Sequence, residues 1–299
     1  MRRVMRWLVR LVAMLVLAVL IFFGYVYFTT SRQMSATYEV SVPRLQVPGD
    51  AAAIERGRYI SDRVSMCSDC HGKDLGGRVV EESFAMGRMS APNLTRGKGG
   101  IGASYTDADY VRTLLHGVRP DKRSVLIMPS SEYRFSERGL ADLIAYLKQV
   151  PPVDREMPKP TAGPLARVLA VVAGYHLVPA AIIDHERVSF AVEQTAENPA
   201  AYGEQLVAMG GCRACHLADL TGGGGPPPGA ANITPVGIGD WTERDFVTAV
   251  RQHKRPNGSA ISEMMPLAYG DMSDIDLAAI YTYLKTVPAA GKKTERQLP

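Results

Sequence analysis

The chain has 299 residues, enough for two ordinary domains of about 100–150 residues each. With 46% hydrophobic residues, its composition is that of a folded protein rather than a disordered one. Residues 1–32 hold five arginines and no acidic residue, which leaves 29 basic against 30 acidic residues over 33–299. The formal charge of +4 therefore belongs to the N-terminus, and the composition excludes a basic nucleic-acid-binding surface.

The N-terminal segment 1–32 is predicted to be a single-pass membrane anchor. The run from Leu11 to Ser31 carries no charge, and a helix of that length spans about 31 Å, the thickness of the hydrocarbon core. Four arginines precede the run and aromatic residues close it, which places the N-terminus in the cytoplasm and the rest of the chain outside. A cleaved signal peptide has the same charged start; the length of the apolar run and the poor cleavage site favour a retained anchor.

Two five-residue motifs carry the chemistry of the chain. Cys67-Ser-Asp-Cys70-His71 and Cys212-Arg-Ala-Cys215-His216 each place two cysteines directly before a histidine. This is the c-type haem attachment pattern, in which two thiols bind one haem and the imidazole becomes an iron ligand. A dithiol redox site has the same cysteine spacing, but here the two copies use all four cysteines and each carries a histidine. The sequence predicts two covalently attached haem c groups.

The two motifs lie in an internal repeat. Paired segments recur in the same order: Arg56-Gly57 and Tyr202-Gly203, Pro92-Asn93-Leu94-Thr95 and Ala231-Asn232-Ile233-Thr234, Met128-Pro129 and Met265-Pro266, and Tyr146-Leu147-Lys148 and Tyr283-Leu284-Lys285. So many matched segments in one order do not arise by chance. The chain therefore contains one kind of domain twice.

Each copy is predicted to be mostly helical. Apolar residues recur at helical spacing in the final helix of each copy, which begins at Ser136 or Ser273 and ends before a proline. Thr106 and Thr242 are typical N-caps, each followed by an acidic first turn. The Gly- and Pro-rich stretch 222–229 excludes regular structure at that place.

Met128 and Met265 are the candidate distal iron ligands, because a thioether favours reduced iron and each precedes a proline in a matched context. A methionine is ordinarily core filler, and Met264 competes for the second site; the proline and the repeat register both select Met265. Ligation by a second histidine, His116 or His253, is the alternative. Such ligation leaves the repeated Met-Pro pairs unexplained.

Two further features of the sequence are each compatible with more than one role. Asn93 and Asn232 either bind a haem propionate or cap a turn. The linker 153–198 contains an apolar stretch from Leu165 to Ile183, but its charge-free part, 168–183, has 16 residues and is short of the roughly 20 that a span needs. A helix packed between the domains, a helix at the membrane surface, or a docking element for a partner subunit fits it better.

In this order, the haem motif, the Asn-x-Thr segment, the Met-Pro pair and the terminal Tyr-Leu-Lys helix resemble a class I cytochrome c domain. Its duplication resembles the membrane-anchored di-haem cytochromes c. The resemblance implies a mostly α fold: after the anchor 1–32 and a tether 33–50, two tandem domains at 51–152 and 199–290, then a tail over 291–299. Each domain wraps a few helices around its haem, with its first and last helices in contact.

The resemblance also implies a function. It points to a single-electron carrier of the respiratory chain in the bacterial inner membrane, with both haem domains on the periplasmic side. Implied partners are membrane lipid, a quinol-oxidising complex or dehydrogenase as donor, and a terminal oxidase or soluble cytochrome as acceptor. One alternative is the haem-bearing electron-acceptor subunit of a membrane-bound dehydrogenase or respiratory complex. Another is a di-haem enzyme, a peroxidase or thiosulfate dehydrogenase, which needs an open distal site that the repeated Met-Pro pairs disfavour.

Overall fold

The computed structural model describes residues 2–193, 197–224 and 229–292. The chain is mostly helical, as predicted. The stretch 225–228 of the Gly- and Pro-rich segment and residues 293–299 of the expected C-terminal tail lie outside the described residues.

Helix α1, Arg2–Ser35, is long enough and apolar enough to cross a membrane, by length and composition. Nearly all its side chains are exposed; the buried ones are Val26 and Thr30. Helix α6, Pro164–Val172, packs against α1 in this region. The linker thus contains a short helix that packs against the C-terminal part of α1.

The first half of the chain is built on two crossing helices. Its helices are α2 (Ala51–Tyr59, continued by a π-helical turn Ile60–Val64), α3 (Cys67–His71), α4 (Asp107–His116) and α5 (Glu137–Leu147). Helix α2 packs against α5 at Gly57, where an added Cβ would lie 1.9 Å from the Asp142 carbonyl oxygen. The two backbones touch because Gly57 has no side chain.

The second half repeats this arrangement. Its helices are α7 (Pro199–Met209), α8 (Cys212–His216), α9 (Pro235–Ile238), α10 (Glu243–Gln252) and α11 (Asp274–Thr286), with a 3₁₀ turn Leu267–Asp271. Helix α7 packs against α11 at Gly203, where a Cβ would lie 2.0 Å from the Ala279 carbonyl oxygen. The N-caps Thr106 and Thr242 both form the reciprocal capping box, with Asp109 and Asp245 as partners.

A small antiparallel sheet departs from the helical expectation. Strands β1 (Arg78–Ser83) and β2 (Gly87–Ala91) form a hairpin, and β3 (Thr161–Ala162) in the linker pairs with β2. The sequence of β1, Arg-Val-Val-Glu-Glu-Ser, does not alternate between polar and apolar residues, and its side chains are mostly exposed. Period-2 patterning, the usual signal of a strand, is therefore missing from this segment.

The two halves meet at a buried carboxylate. Asp276, at the start of α11, is 3% exposed and accepts hydrogen bonds from the hydroxyls of Tyr59 and Tyr202, the latter at 2.9 Å. The Tyr59 oxygen also accepts from the Ser273 backbone N–H at 2.8 Å. Burial, reinforced by Asp276, raises the pKa of Tyr59 to about 12, so that this hydroxyl stays a donor at neutral pH. Val64 of the first half packs into the core of the second.

The glycines at the helix crossings provide a stability test. We expect Gly57→Ala and Gly203→Ala each to destabilise the protein by about 3 kcal/mol or more, because the new methyl overlaps a backbone carbonyl that the helix cannot move. Gly49→Ala is the matched control, since nothing lies within 4 Å of its added Cβ, and its effect should stay within about 0.5 kcal/mol. Denaturant unfolding followed by circular dichroism measures all three. Equal stability of the three variants would contradict the proposed contact.

Candidate haem sites

Each attachment motif forms a single helical turn that gathers its functional side chains. In α3 and α8 the two cysteines and the histidine occupy positions i, i+3 and i+4, which lie on one face of a helix. The chain enters each turn through a left-handed residue, Met66 at φ 43° and Gly211 at φ 67°. This left-handed residue separates each motif turn from the helix before it.

A backbone carbonyl orients each motif histidine. His71 Nδ1 lies 2.8 Å from the Pro92 carbonyl oxygen, and His216 Nδ1 lies 2.6 Å from that of Ala231. A carbonyl oxygen only accepts, so each Nδ1 carries the hydrogen and each Nε2 keeps a free lone pair. Burial lowers the pKa of both imidazoles, which favours the neutral, metal-binding form.

The cysteines are not activated as a redox dithiol would be. Burial raises the pKa of the Cys67 and Cys212 thiols to about 11, whereas catalytic dithiols have a lowered thiol pKa. The raised thiol pKa favours haem attachment over the dithiol alternative.

The second half encloses a cavity of about 820 Å³ whose wall is mostly apolar. Its lining includes Cys212, Cys215, His216, Trp241, Met265 and Tyr269. Two thiols, an imidazole with a free Nε2 and a thioether thus face one apolar space. This is the donor set that a covalently bound haem requires, and the volume is that of a cofactor pocket. The residues present therefore fit haem c.

Three side chains compete for the distal position of this cavity. Met264 and Met265 both line it, but Met264 is 61% exposed while Met265 packs against the core. His253 is absent from the described lining of the cavity and ends α10 in a left-handed conformation. The His253 carbonyl oxygen accepts a hydrogen bond from the Ile261 N–H, eight residues later. In the first half, the Gly117 carbonyl oxygen accepts the matching bond from the Val125 N–H. His253 therefore corresponds to Gly117 of the first half. The geometry favours Met265.

In the first half, Met128 and Cys67 pack against the same core cluster. The linker supports the Met128 loop from behind, since the Ile127 N–H donates to the Leu177 carbonyl oxygen at 3.1 Å. Buried Tyr133 lies near both cysteines of the first motif; burial, with the thiolate charges adding to it, raises its pKa well above the ordinary value.

Tyr133 and Tyr269 are site residues that the sequence analysis missed. Tyr269 lines the second cavity and donates a hydrogen bond to the Gly210 carbonyl oxygen beside Cys212. The two tyrosines follow Met128 and Met265 by five and four residues. That one-residue difference in spacing hides the pair from a strict repeat alignment, although an aromatic residue after each Met-Pro was the available signal.

The asparagines tie each haem loop to the segment after the last helix. Asn93 Oδ1 accepts from the backbone N–H and hydroxyl of Thr95, and its Nδ2 donates to the carbonyls of Val153 and Arg155. Asn232 makes the same contacts with Thr234 and with the carbonyls of Ala290 and Lys292. In Asn93 both amide hydrogens are used within the protein. Of the two open roles, the turn-forming one is therefore favoured.

His116 is buried beside the linker. Its Nδ1 lies 3.1 Å from Nδ1 of His185 in the linker, and its Nε2 is buried without a partner. Burial, with the charges of His185 and Arg112 as smaller causes, lowers the pKa of His116 from 6.5 to about 4. This histidine joins the linker to the first half, which is a structural role.

The lowered pKa of His116 predicts an acid-labile fold. Above pH 6.5 the imidazole is neutral in both states; as the pH falls towards 4, the unfolded chain binds a proton that the folded chain refuses. We expect this to remove up to about 3 kcal/mol of stability between pH 6.5 and 4. His116→Gln, which introduces the residue found at the matching position 252 of the second half, should flatten this part of the curve in denaturant unfolding across that range. Parallel curves for the two proteins would show that His116 is not the titrating group.

These sites and helices define a class of protein. Residues 200–288 match the family model for cytochrome c, so the second half contains a cytochrome c domain. It is similar to the fructose dehydrogenase cytochrome subunit of Gluconobacter japonicus, 27% identical over 87% of this chain and 58% of that protein. It is also similar to the cytochrome c subunit of the quinone alcohol dehydrogenase of Gluconobacter oxydans, 29% identical over 80% of this chain and 56% of that protein.

A third relative is of more similar length. The diheme cytochrome c-type protein of Cereibacter sphaeroides is 29% identical over 75% of this chain and 82% of that protein. The chain spans a little over half the length of the two dehydrogenase subunits.

Proposed function

We propose that this chain is the electron-transferring cytochrome subunit of a membrane-bound dehydrogenase. The observation that carries this proposal is its similarity to the cytochrome subunits of two such dehydrogenases over 80–87% of the chain. The sequence predicted an electron carrier without identifying its partners. We now propose that the chain is a subunit that accepts electrons from one dehydrogenase. The identity of the reduced substrate belongs to that dehydrogenase.

The chain holds two haem c groups in this proposal. Cys67 and Cys70 would attach the first haem, and His71 and Met128 would ligate its iron. Cys212, Cys215, His216 and Met265 would do the same for the second. The shared tautomer of the two histidines and the matched Met-Pro loops support equivalent sites. Similarity to a diheme cytochrome over 75% of the chain supports the number.

Held by a histidine and a methionine in each half, haem c would supply one-electron uptake and release without binding substrate. The protein supplies a fixed environment for that exchange. The carbonyl of Ala231 holds the His216 ring, Pro266 stiffens the loop of Met265, and apolar side chains such as Ile238 and Leu277 keep water out. Little of this frame has to rearrange when the charge changes.

The contact between the halves supports electron passage from one site to the other. Met66, the residue before Cys67, lines the cavity of the second half. Met209, which closes α7, packs against both core clusters. The carboxylate of Asp276 fixes this contact through Tyr59 and Tyr202, so the first attachment motif abuts the second cavity.

The membrane side follows from the charges of α1. Four arginines precede its apolar run, which supports a cytoplasmic N-terminus and haem domains on the periplasmic face of the bacterial inner membrane. In that location the proposed haem attachment and a periplasmic dehydrogenase partner occupy the same compartment. The di-haem enzyme alternative finds less support, since each half offers a methionine for the distal position.

Spectroscopy tests the distal ligands. In Met265→Leu we expect two haems per chain but about half the amplitude of the weak red Met–iron charge-transfer band, because one thioether ligand is lost. Met264→Leu is the matched control and should keep the full band. A loss of the band in the control, with Met265→Leu unchanged, would assign the ligand to Met264. A high-spin haem in the resting wild type would instead favour the enzyme alternative.

Co-purification tests the partner. The tagged, full-length chain is extracted from its native membranes in mild detergent, run on a native gel and stained for haem. We expect a haem band well above the 32.5 kDa of the chain, in which fructose or an alcohol reduces the haems within the assay. A band at the size of the chain alone, with no substrate-dependent reduction, would support the free carrier over the subunit.

A further inference from the structure

Helix α6 is held at the outer end of the anchor helix. Arg167 donates from one guanidinium nitrogen to Thr30 Oγ1 at 2.7 Å and to Ser31 Oγ at 3.0 Å, and its charge lies 4.6 Å from the centroid of the Tyr27 ring. Ala166 beside it is completely buried. These contacts fix α6 against the last turns of the apolar run that ends at Ser31.

The contact between α6 and α1 lies a short distance inside the outer end of the apolar run. Val26 and Thr30 are the buried residues of α1, and Val26 lies five residues before the end of the apolar run. At 1.5 Å per residue this is about 7 Å inside the boundary of the run. Interfacial helices lie at a similar depth, about 5–10 Å into the region between headgroups and acyl chains.

The free side of α6 is apolar. Leu165, Val168 and Val172 stand at positions i, i+3 and i+7 and share one face; Leu165 is 45% and Val172 59% exposed. Arg167 is the one charged residue of α6, and its guanidinium is committed to α1 and to the Ala162 carbonyl oxygen. None of the described residues covers this apolar face.

The tip of the β1–β2 hairpin extends this surface. Phe84 is 90% exposed, and the next two residues are bonded to the start of α6: the Leu165 N–H donates to Ala85 O at 2.9 Å and the Gly163 N–H to Met86 O at 2.9 Å. The charges of the hairpin lie behind its tip, where Arg88 pairs with Glu82. Hairpin tip and helix therefore form one rigid apolar unit beside the membrane helix.

We propose that this unit, the docking surface formed by Phe84, Leu165, Val168 and Val172, inserts into the outer interface of the bilayer that α1 spans. The proposal rests on the anchoring role of α1 given above. Its occupant is lipid because the surface is continuous with the lipid-facing helix and lies at the depth of the interface. Insertion holds the first haem site at a fixed height and orientation above the membrane, instead of letting it swing on its tether.

Fluorescence quenching tests the docking surface. The full-length, haem-loaded protein carries Phe84→Cys or Val172→Cys, labelled with an environment-sensitive nitrobenzoxadiazole dye. The matched control is Ile275→Cys, an aliphatic residue of α11 that is 63% exposed. The proteins are reconstituted into vesicles of phosphatidylcholine and phosphatidylglycerol. Wild type shows the labelling background of the four native cysteines, and the haem spectrum verifies folding of each variant.

We expect dyes at 84 and 172 to be quenched by nitroxide-labelled lipid and to respond about fivefold less to aqueous iodide than the dye at 275. Iodide quenching equal to that of the control would overturn lipid insertion and leave a partner protein as the cover. Carbonate washing separates this failure from that of the anchor. A chain that stays in the vesicles but leaves the dyes in water loses only the docking proposal, whereas a chain that washes off loses the anchor as well.

Discussion

The contact on which each half depends is the crossing of its first and last helices without a side chain between them. At Gly57 and Gly203 the helix backbone lies directly against the carbonyl of the partner helix. This fixes where the first helix ends, and the attachment motif begins three to eight residues later. A left-handed residue then separates the attachment motif from that helix. A shift of the crossing would carry the whole donor set with it.

The position beside that crossing glycine shows how the two halves have diverged. Arg56 in the first half makes a bidentate ion pair with buried Asp142, at 2.6 and 3.0 Å. Tyr202, its counterpart, instead donates to Asp276, which also accepts from Tyr59 of the other half. One position thus stabilises a helix pair within its own half, and its copy helps to join the halves. Repeated backbones permit this because the crossing itself needs only the glycine.

Local patterns made the attachment motifs, the capping boxes, the final helices and the apolar N-terminal helix predictable, since each depends on residues close in sequence. The β1–β2 hairpin was not predictable, because its stability comes from pairing with β3, some 70 residues later, and from α6. The roles of Asn93 and Asn232 also depended on distant carbonyls. Tyr133 and Tyr269 were missed because their spacing from Met-Pro differs by one residue. A loop can accommodate that extra residue, but a strict repeat alignment does not pair the two tyrosines.

The sequence by itself determined a mostly helical chain with an apolar N-terminal helix and two haem attachment motifs, because each of these features depends on one short, uninterrupted stretch of residues. Only the tertiary structure decided what surrounds these features. It placed α6 beside α1, the tip of the β1–β2 hairpin beside α6, His116 against His185 and Met66 in the wall of the second cavity. Contacts of this kind join residues from separate parts of the chain through packing and hydrogen bonding, and no periodicity or spacing encodes them.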